Sequence, residues 1–163
     1  MVVRKRASPP RRLTLEDLEG ISKWRLGFTG KSDELDSWDQ VRILAFLLGV
    51  ARRWPHAIWV TGGCVGVDAF IAMVGHATGF HVHTVLPANH VKVDQEWKKS
   101  CTSYYQMPNG TDYMDRNDEL VNRSTHMGGA FPDGPEQQRS GTWATVRRFR
   151  RKGVKTTRIV VLN

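Results

Sequence analysis

The run from Ala57 to Gly79 constrains this chain more than any other. Ala57-Ile-Trp-Val-Thr61 has the β-branched and aromatic character of a short buried strand, and Gly62-Gly63-Cys64-Val65-Gly66 follows at once. Behind the glycines, Val67, Phe70, Ile71 and Val74 recur at i, i+3, i+4 and i+7, and Gly79 suits the stop of the resulting helix. A strand that passes into a helix through such a loop is half of a crossover unit. The crossover demands a further parallel strand, and His81 to Leu86, ended by Pro87, supplies the pattern for one.

The same alternation runs through the rest of the chain. Leu13 to Ile21 has a short helical pattern, and Trp24 to Thr29 reads as a strand entering a Gly30-Lys31-Ser32 turn. Ser37-Trp-Asp-Gln40 has capping-box spacing ahead of an apolar helix that reaches Ala51 and is stopped by Pro55. Residues 88–113 carry no readable element. Arg116 to Ser124 predicts a short helix, Met127 to Phe131 a strand despite its glycines, and Asp133 to Ser140 a loop. Gly141 to Lys152 predicts a helix and Thr157 to Leu162 a last strand. Strands alternating with helices at this spacing imply an α/β domain: a mainly parallel sheet with helices on both faces, binding ligands at the strands' carboxyl ends. The length, 163 residues, fits one such domain over 13–163 behind a basic arm over 1–12.

The net charge of +8 suggests an anionic partner, but its placement matters more than its size. Residues 1–12 hold Arg4, Lys5, Arg6, Arg11 and Arg12 without an acid, broken by Pro9-Pro10, which predicts a disordered arm able to track nucleic-acid phosphates or simply to solubilise. Arg147-Arg-Phe-Arg-Arg-Lys152 ends a predicted helix, where cations meet the helix dipole favourably. Two cysteines, Cys64 and Cys101, make no disulfide framework, so a reducing, cytoplasmic setting is expected. The longest apolar run, Ile43 to Ala51, is nine residues, short of a membrane span, so no membrane partner is expected.

Three turns suit a phosphate. In the first, Gly62, Gly63 and Gly66 permit close backbone approach, and the N–H groups at the helix start attract anions; the alternative is a crowded turn that needs glycine for packing alone. It is neither a dinucleotide fingerprint nor a Walker loop. Asp68 falls in the first helical turn, where it stabilises the dipole or accepts a ribose hydroxyl. The second is Arg139-Ser140-Gly141-Thr142, with Ser140 or Thr142 as cap and room over Gly141. The third is Phe28-Thr29-Gly30-Lys31, where Lys31 offers a cation. The fold class brings all three to one edge.

Gly27-Phe28-Thr29-Gly30, Val60 to Asp68, Leu86-Pro87-Ala88, Arg116-Asn117-Asp118 and Ser140-Gly141-Thr142 stand in the order found in the SLOG superfamily, and the chain most resembles its small YspA/DUF2493-type members. The resemblance covers residues 24–162. It implies a Rossmann-like sheet, Gly62, Gly63 and Gly66 in the ligand loop with Asp68 behind, Arg116 and Asn117 at the ligand edge, and Gly141 and Thr142 at the phosphate. The superfamily includes the Lonely-Guy nucleotide phosphoribohydrolases, DNA-processing protein A and sensors of nucleotide-derived signals. A nucleotide-type ligand, an N-glycosidic hydrolase acting on nucleotides, and a DNA-binding module are therefore the three expectations, with a homodimer plausible by resemblance.

One departure bears on the hydrolase. Lonely-Guy enzymes carry a glutamate in a Gly-Gly-x-Gly-Thr-x-x-Glu pattern, and aligning Gly141-Thr142 puts Thr145 there. Asp68, Asp118 and Glu136 are the remaining carboxylates for such chemistry. No cofactor is implied, and no metal spacing is present: His81 and His83 share a strand face, but no second pair completes a site with them. Cys64, beside a helix start, is either a reactive thiol or a small loop residue. Trp38, Trp59 and Trp143 fall at core-like positions, leaving Trp97, Tyr104 and Tyr105 to stack on a base.

Overall fold

The computed structural model describes residues 8–162. In chain order the elements are β1 (Arg11–Arg12), α1 (Leu15–Ile21), β2 (Arg25–Gly30), α2 (Ser37–Arg53), β3 (Ile58–Thr61), α3 (Val67–Ala77), β4 (Val82–Leu86), a short 3₁₀ turn (Trp97–Ser100), β5 (Ser103–Gln106), α4 (Tyr113–Arg123), β6 (His126–Phe131) and α5 (Gly141–Arg151). The six strands form one sheet in the order β1-β5-β4-β3-β2-β6, and every pairing is parallel. This is the expected α/β architecture.

Each sheet face buries its own cluster. On one face Leu26, Phe28, Trp59 and Val82 pack against Ile43, Leu47 and Val50 of α2 and Val67 and Ile71 of α3. On the other, Ile58, Val60, Val85 and Met127 meet Leu18 of α1, Leu120 and Val121 of α4, and Trp143, Val146 and Phe149 of α5. The glycines of β6 are explained by this packing. A Cβ at Gly128 would lie 2.5 Å from Phe28 Cζ, and one at Gly129 2.8 Å from Phe46 Cε1. The β2–β6 register shifts at the same place, Gly27 pairing Met127 but Phe28 pairing Gly129, so Gly128 is the extra residue of a bulge.

The structure corrects several expectations. Residues 1–7 of the expected arm lie outside the described residues, but Arg11 and Arg12 form the edge strand β1 on β5, and the arm cannot extend to residue 12. The helix α2 is capped by Asp36, which accepts from Asp39 N at 2.7 Å, one residue ahead of the Ser37 cap the spacing predicts. Residues 103–106 form a strand that the polar sequence of 88–113 concealed. The expected last strand reduces to one bridge between Ile159 and Ala130, with flanking bonds from Ala130 N to Arg158 O and from Val160 N to Ala130 O. Trp38 is not in the core: it is 67% exposed. Among the described residues no helix is long and apolar enough to cross a membrane.

The chain leaves β2 towards α2 on one face, and leaves the adjacent β6 towards α5 on the other. Neighbouring strands whose connections part in this way open a crevice at their carboxyl ends.

Candidate functional site

That crevice holds a cavity of about 280 Å³. Thr29, Gly30 and Lys31 line it after β2, Cys64 and Asp68 after β3, Arg116 and Asn117 from α4, and Ser140, Gly141 and Thr142 at the start of α5. The segments predicted to converge therefore do so. Gly62, Gly63 and Gly66 are not in the wall. A Cβ at Gly62 would meet the Arg116 guanidinium and lie 2.7 Å from Asp68 Oδ2. One at Gly63 would lie 2.8 Å from Thr84 Cγ2, and one at Gly66 2.6 Å from the Lys31 carbonyl oxygen. Gly63 and Gly66 also sit at φ +74° and +85°, where a side chain is strained. The glycines make room for the protein's own groups, and Gly62 seats Arg116.

Arg116 is 7% exposed. Its Nη1 donates to the Gly62 carbonyl and its Nε to Asn117 Oδ1 at 3.1 Å, while both terminal nitrogens approach Cys64 Sγ at 3.7 Å. The guanidinium is thus fixed before any ligand arrives, and its second terminal nitrogen meets only a weak sulfur acceptor among the described residues. Asp68, also buried, accepts from Cys64 N at 3.2 Å. Burial drives its carboxyl up from the usual range to about 6, against the opposing pull of Arg116. Burial likewise raises the Cys64 thiol, with Asp68 adding to the effect, so the reactive-thiolate alternative is not the one this environment favours.

At the opposite wall, the Ser140 hydroxyl accepts from Trp143 N at 3.3 Å and caps α5. The N–H groups of Gly141 and Thr142 belong to the first helical turn, which has no intrahelical acceptors for them. Lys92 and Arg139 add exposed cations to the wall, and Asp33 and Asp133 add exposed carboxylates. Lys31 is engaged elsewhere: its Nζ lies 2.9 Å from Asp39 Oδ2 on buried α2 side chains.

Asp118 and Glu136 do not reach the cavity. Asp118 pairs with Arg148, and Glu136 takes Arg150 at 2.9 Å and Arg147 at 3.6 Å. Lys152 donates to the carbonyls of Val121 and Ser124, so most of the 147–152 cluster is spent within the fold. Thr145, at the position of the Lonely-Guy glutamate, is buried and bonds the Gly141 carbonyl at 3.1 Å. The aromatics expected to stack on a base are also placed elsewhere. Trp97 packs on Tyr104 at 5.2 Å, and Tyr105 lies under Arg123 at 4.0 Å. Tyr113 lines the cavity instead, its ring beneath Arg116 at 5.5 Å and its hydroxyl donating to the Asn89 carbonyl at 3.0 Å. Its place as the first residue of α4, behind the Asp112 capping box, was the signal available in the sequence. His81 and His83 share one partner, each 2.7 Å from Ser103 Oγ.

No protein-family model matches the chain, and no curated protein matches it by sequence. Solved structures do share its shape. The X-ray structure of TM1055, a structural genomics target, superposes with a TM-score of 0.59 at 16% identity, covering 80% of this chain and 71% of that one. DNA processing protein A from Streptococcus pneumoniae gives 0.62 at 14% identity, over 86% of this chain and 51% of that one, so the match spans about half of the DNA processing protein. The molybdenum cofactor binding protein from Rippkaea orientalis gives 0.59 at 19% identity, over 88% of this chain and 78% of that one. The fold is the one the SLOG resemblance implies. At these identities the likeness is one of fold.

Proposed function

We propose that the crevice binds a nucleotide or nucleotide-derived small molecule through its phosphate. The observation that carries this reading is the meeting of a buried, pre-oriented Arg116 with the capped N-terminus of α5 across one cavity. A guanidinium without a strong acceptor on one nitrogen, and helix N–H groups without acceptors, are both suited to phosphate oxygens. Lys92 and Arg139 at the rim favour approach of the anion. Asp33 and Asp133 offer acceptors for sugar hydroxyls, and Tyr113 offers a face for the base. The volume, about 280 Å³, suits a ribose phosphate with the base at the mouth.

Calorimetry against nucleoside monophosphates, cyclic nucleotides and ADP-ribose tests the proposal. At least one is expected to bind, with affinity lost in Arg116→Met. Folded protein that binds none of them refutes it.

A second reading keeps the same ligand and adds hydrolysis of its N-glycosidic bond. Asp68 favours it, since it alone of the three expected carboxylates lines the cavity, and a carboxyl near 6 exchanges a proton close to neutral pH. In this reading water adds to the anomeric carbon as the C–N bond breaks, Asp68 taking the water's proton and the departing base receiving it in turn. Base release from AMP or CMP that persists in Asp68→Asn excludes it.

A further inference from the structure

Another cavity, of about 420 Å³, opens at the end of the sheet opposite the crevice, where β2 and β6 begin. Arg53 and Trp54 reach it from the end of α2, and His126 from the start of β6. Lys155 and Arg158 come from the segment that follows α5, and Met127 and Val154 add apolar wall. The charge of this wall is one-sided. Arg53, Lys155 and Arg158 line it, and no carboxylate does. Among the described residues none of the three forms an ion pair, and their side chains donate one hydrogen bond, from Arg158 Nη1 to the Met127 carbonyl at 3.3 Å. The dipole of α2 accounts for Arg53 in its last turn, but Lys155 and Arg158 stand outside any helix.

Aromatic rings hold these cations together. Trp54 packs on Trp24 at 5.1 Å and on His126 at 5.0 Å, and the guanidiniums of Arg53 and Arg158 lie 5.7 and 5.9 Å from the centre of its ring. Two positive groups are thus brought to one indole, and the fold places no acid beside them to offset their repulsion. Burial first, and the Arg53 charge second, hold the Arg158 guanidinium below its ordinary pKa; burial and then Arg158 lower His126 in the same way. The Trp54 indole N–H is a further donor, buried and without an acceptor among the described residues. Scattered surface cations need no partner. Three that line one concavity without an acid focus a positive field into it.

We propose that this cleft is a second anion site, separate from the crevice, and that it takes the phosphate monoester of a small molecule. Guanidinium and ammonium groups suit phosphate oxygens, the guanidinium fork in bidentate fashion. Charge selects the monoester. Near neutral pH it carries about 1.5 to 2 negative charges, more than the one of a carboxylate or a phosphodiester, and the wall presents three positive ones. The cavity has room for more than the phosphate itself, and Trp54, Met127 and Val154 give the body of the molecule an apolar seat. The proposal does not rest on the crevice or on what binds there.

Nitrogen–proton NMR of the full chain reads this site directly, with the Trp54 indole signal assigned through Trp54→Phe. Inorganic phosphate, titrated at constant ionic strength, is expected to move that signal saturably. Arg53→Gln and Lys155→Gln change exposed positions, so the fold is kept, which the other indole signals verify. Together they should weaken phosphate binding at this signal by about tenfold. Binding in the crevice is followed separately at Trp143, whose backbone N–H meets the Ser140 hydroxyl. A single-stranded oligodeoxynucleotide without a terminal phosphate, at the same concentration of phosphate groups, separates a free monoester from the phosphodiester of a nucleic-acid strand. It should move the Trp54 signal less than phosphate does. A Trp54 signal that phosphate leaves in place, that responds with undiminished affinity in the double variant, or that the oligodeoxynucleotide moves at least as far overturns the proposal.

Discussion

Replacing Asp68 by asparagine tests the electrostatics of the crevice directly. The side chain is buried, bonds only the Cys64 amide among the described residues, and has its carboxyl raised from 3.8 to about 6. A carboxyl with a higher pKa in the folded state holds its proton there while the unfolded chain has released it. Its contribution is therefore most favourable below about pH 4 and is lost as the pH rises through about 6. Two units correspond to about 3 kcal/mol, an upper figure because some water reaches the cavity. Asparagine imitates the protonated acid in shape and carries no charge. The variant should match the wild type near pH 3.5 and exceed its stability by roughly 1–3 kcal/mol near pH 7.5. Urea unfolding at the two pH values, with the slope of each transition compared, measures the difference. A variant equally or less stable than the wild type at both pH values would refute the reasoning, since it would mean that Arg116 stabilises the ionised carboxylate more than burial penalises it. The same variant serves the test of glycosidic hydrolysis.

Three other perturbations follow from the same geometry. Gly62→Ala sets a methyl group against the buried Arg116 guanidinium and 2.7 Å from Asp68 Oδ2, so phosphate-ligand affinity should fall at least tenfold by calorimetry and the melting temperature should fall with it. Ser140→Ala removes the cap of α5 and should cost about 1 kcal/mol in urea unfolding. His83, wholly buried, has its pKa lowered from 6.5 to about 3, first by burial and then by Arg123, so it stays neutral in the fold. Its depressed folded pKa makes stability fall as the pH drops from 6.5 towards 3, and His83→Gln should flatten that part of the pH profile measured by thermal unfolding.

The elements that were legible in the sequence are those with a period. Strands β3 and β4 are buried along their whole length and β2 up to its last residue, and α3 carries one apolar stripe, so local pattern and tertiary environment agree. Strand β5 was not legible. Tyr104, Tyr105 and Gln106 are only half-buried near the sheet edge, and their polarity resembles that of a loop. Trp38 misled because hydrophobicity alone does not say which side of a helix faces the core; the phase of Ile43, Leu47 and Val50 does. The glycine loop was legible as a special turn but ambiguous in purpose, because glycine opens space equally for a guest and for a neighbouring side chain. Only the position of Arg116, distant in sequence, distinguishes the two.

By itself the sequence determined the class of fold, the parallel order of its units and the edge at which their loops gather, because alternating periods and glycine turns are local and the crossover rule does the rest. Tertiary structure alone decided which of the three expected carboxylates faces the cavity, which cations are already paired, and that Tyr113 rather than Trp97, Tyr104 or Tyr105 lines it. Those outcomes depend on side chains meeting across the fold at distances of a few ångströms, and nothing along one chain encodes which of several similar groups will arrive there.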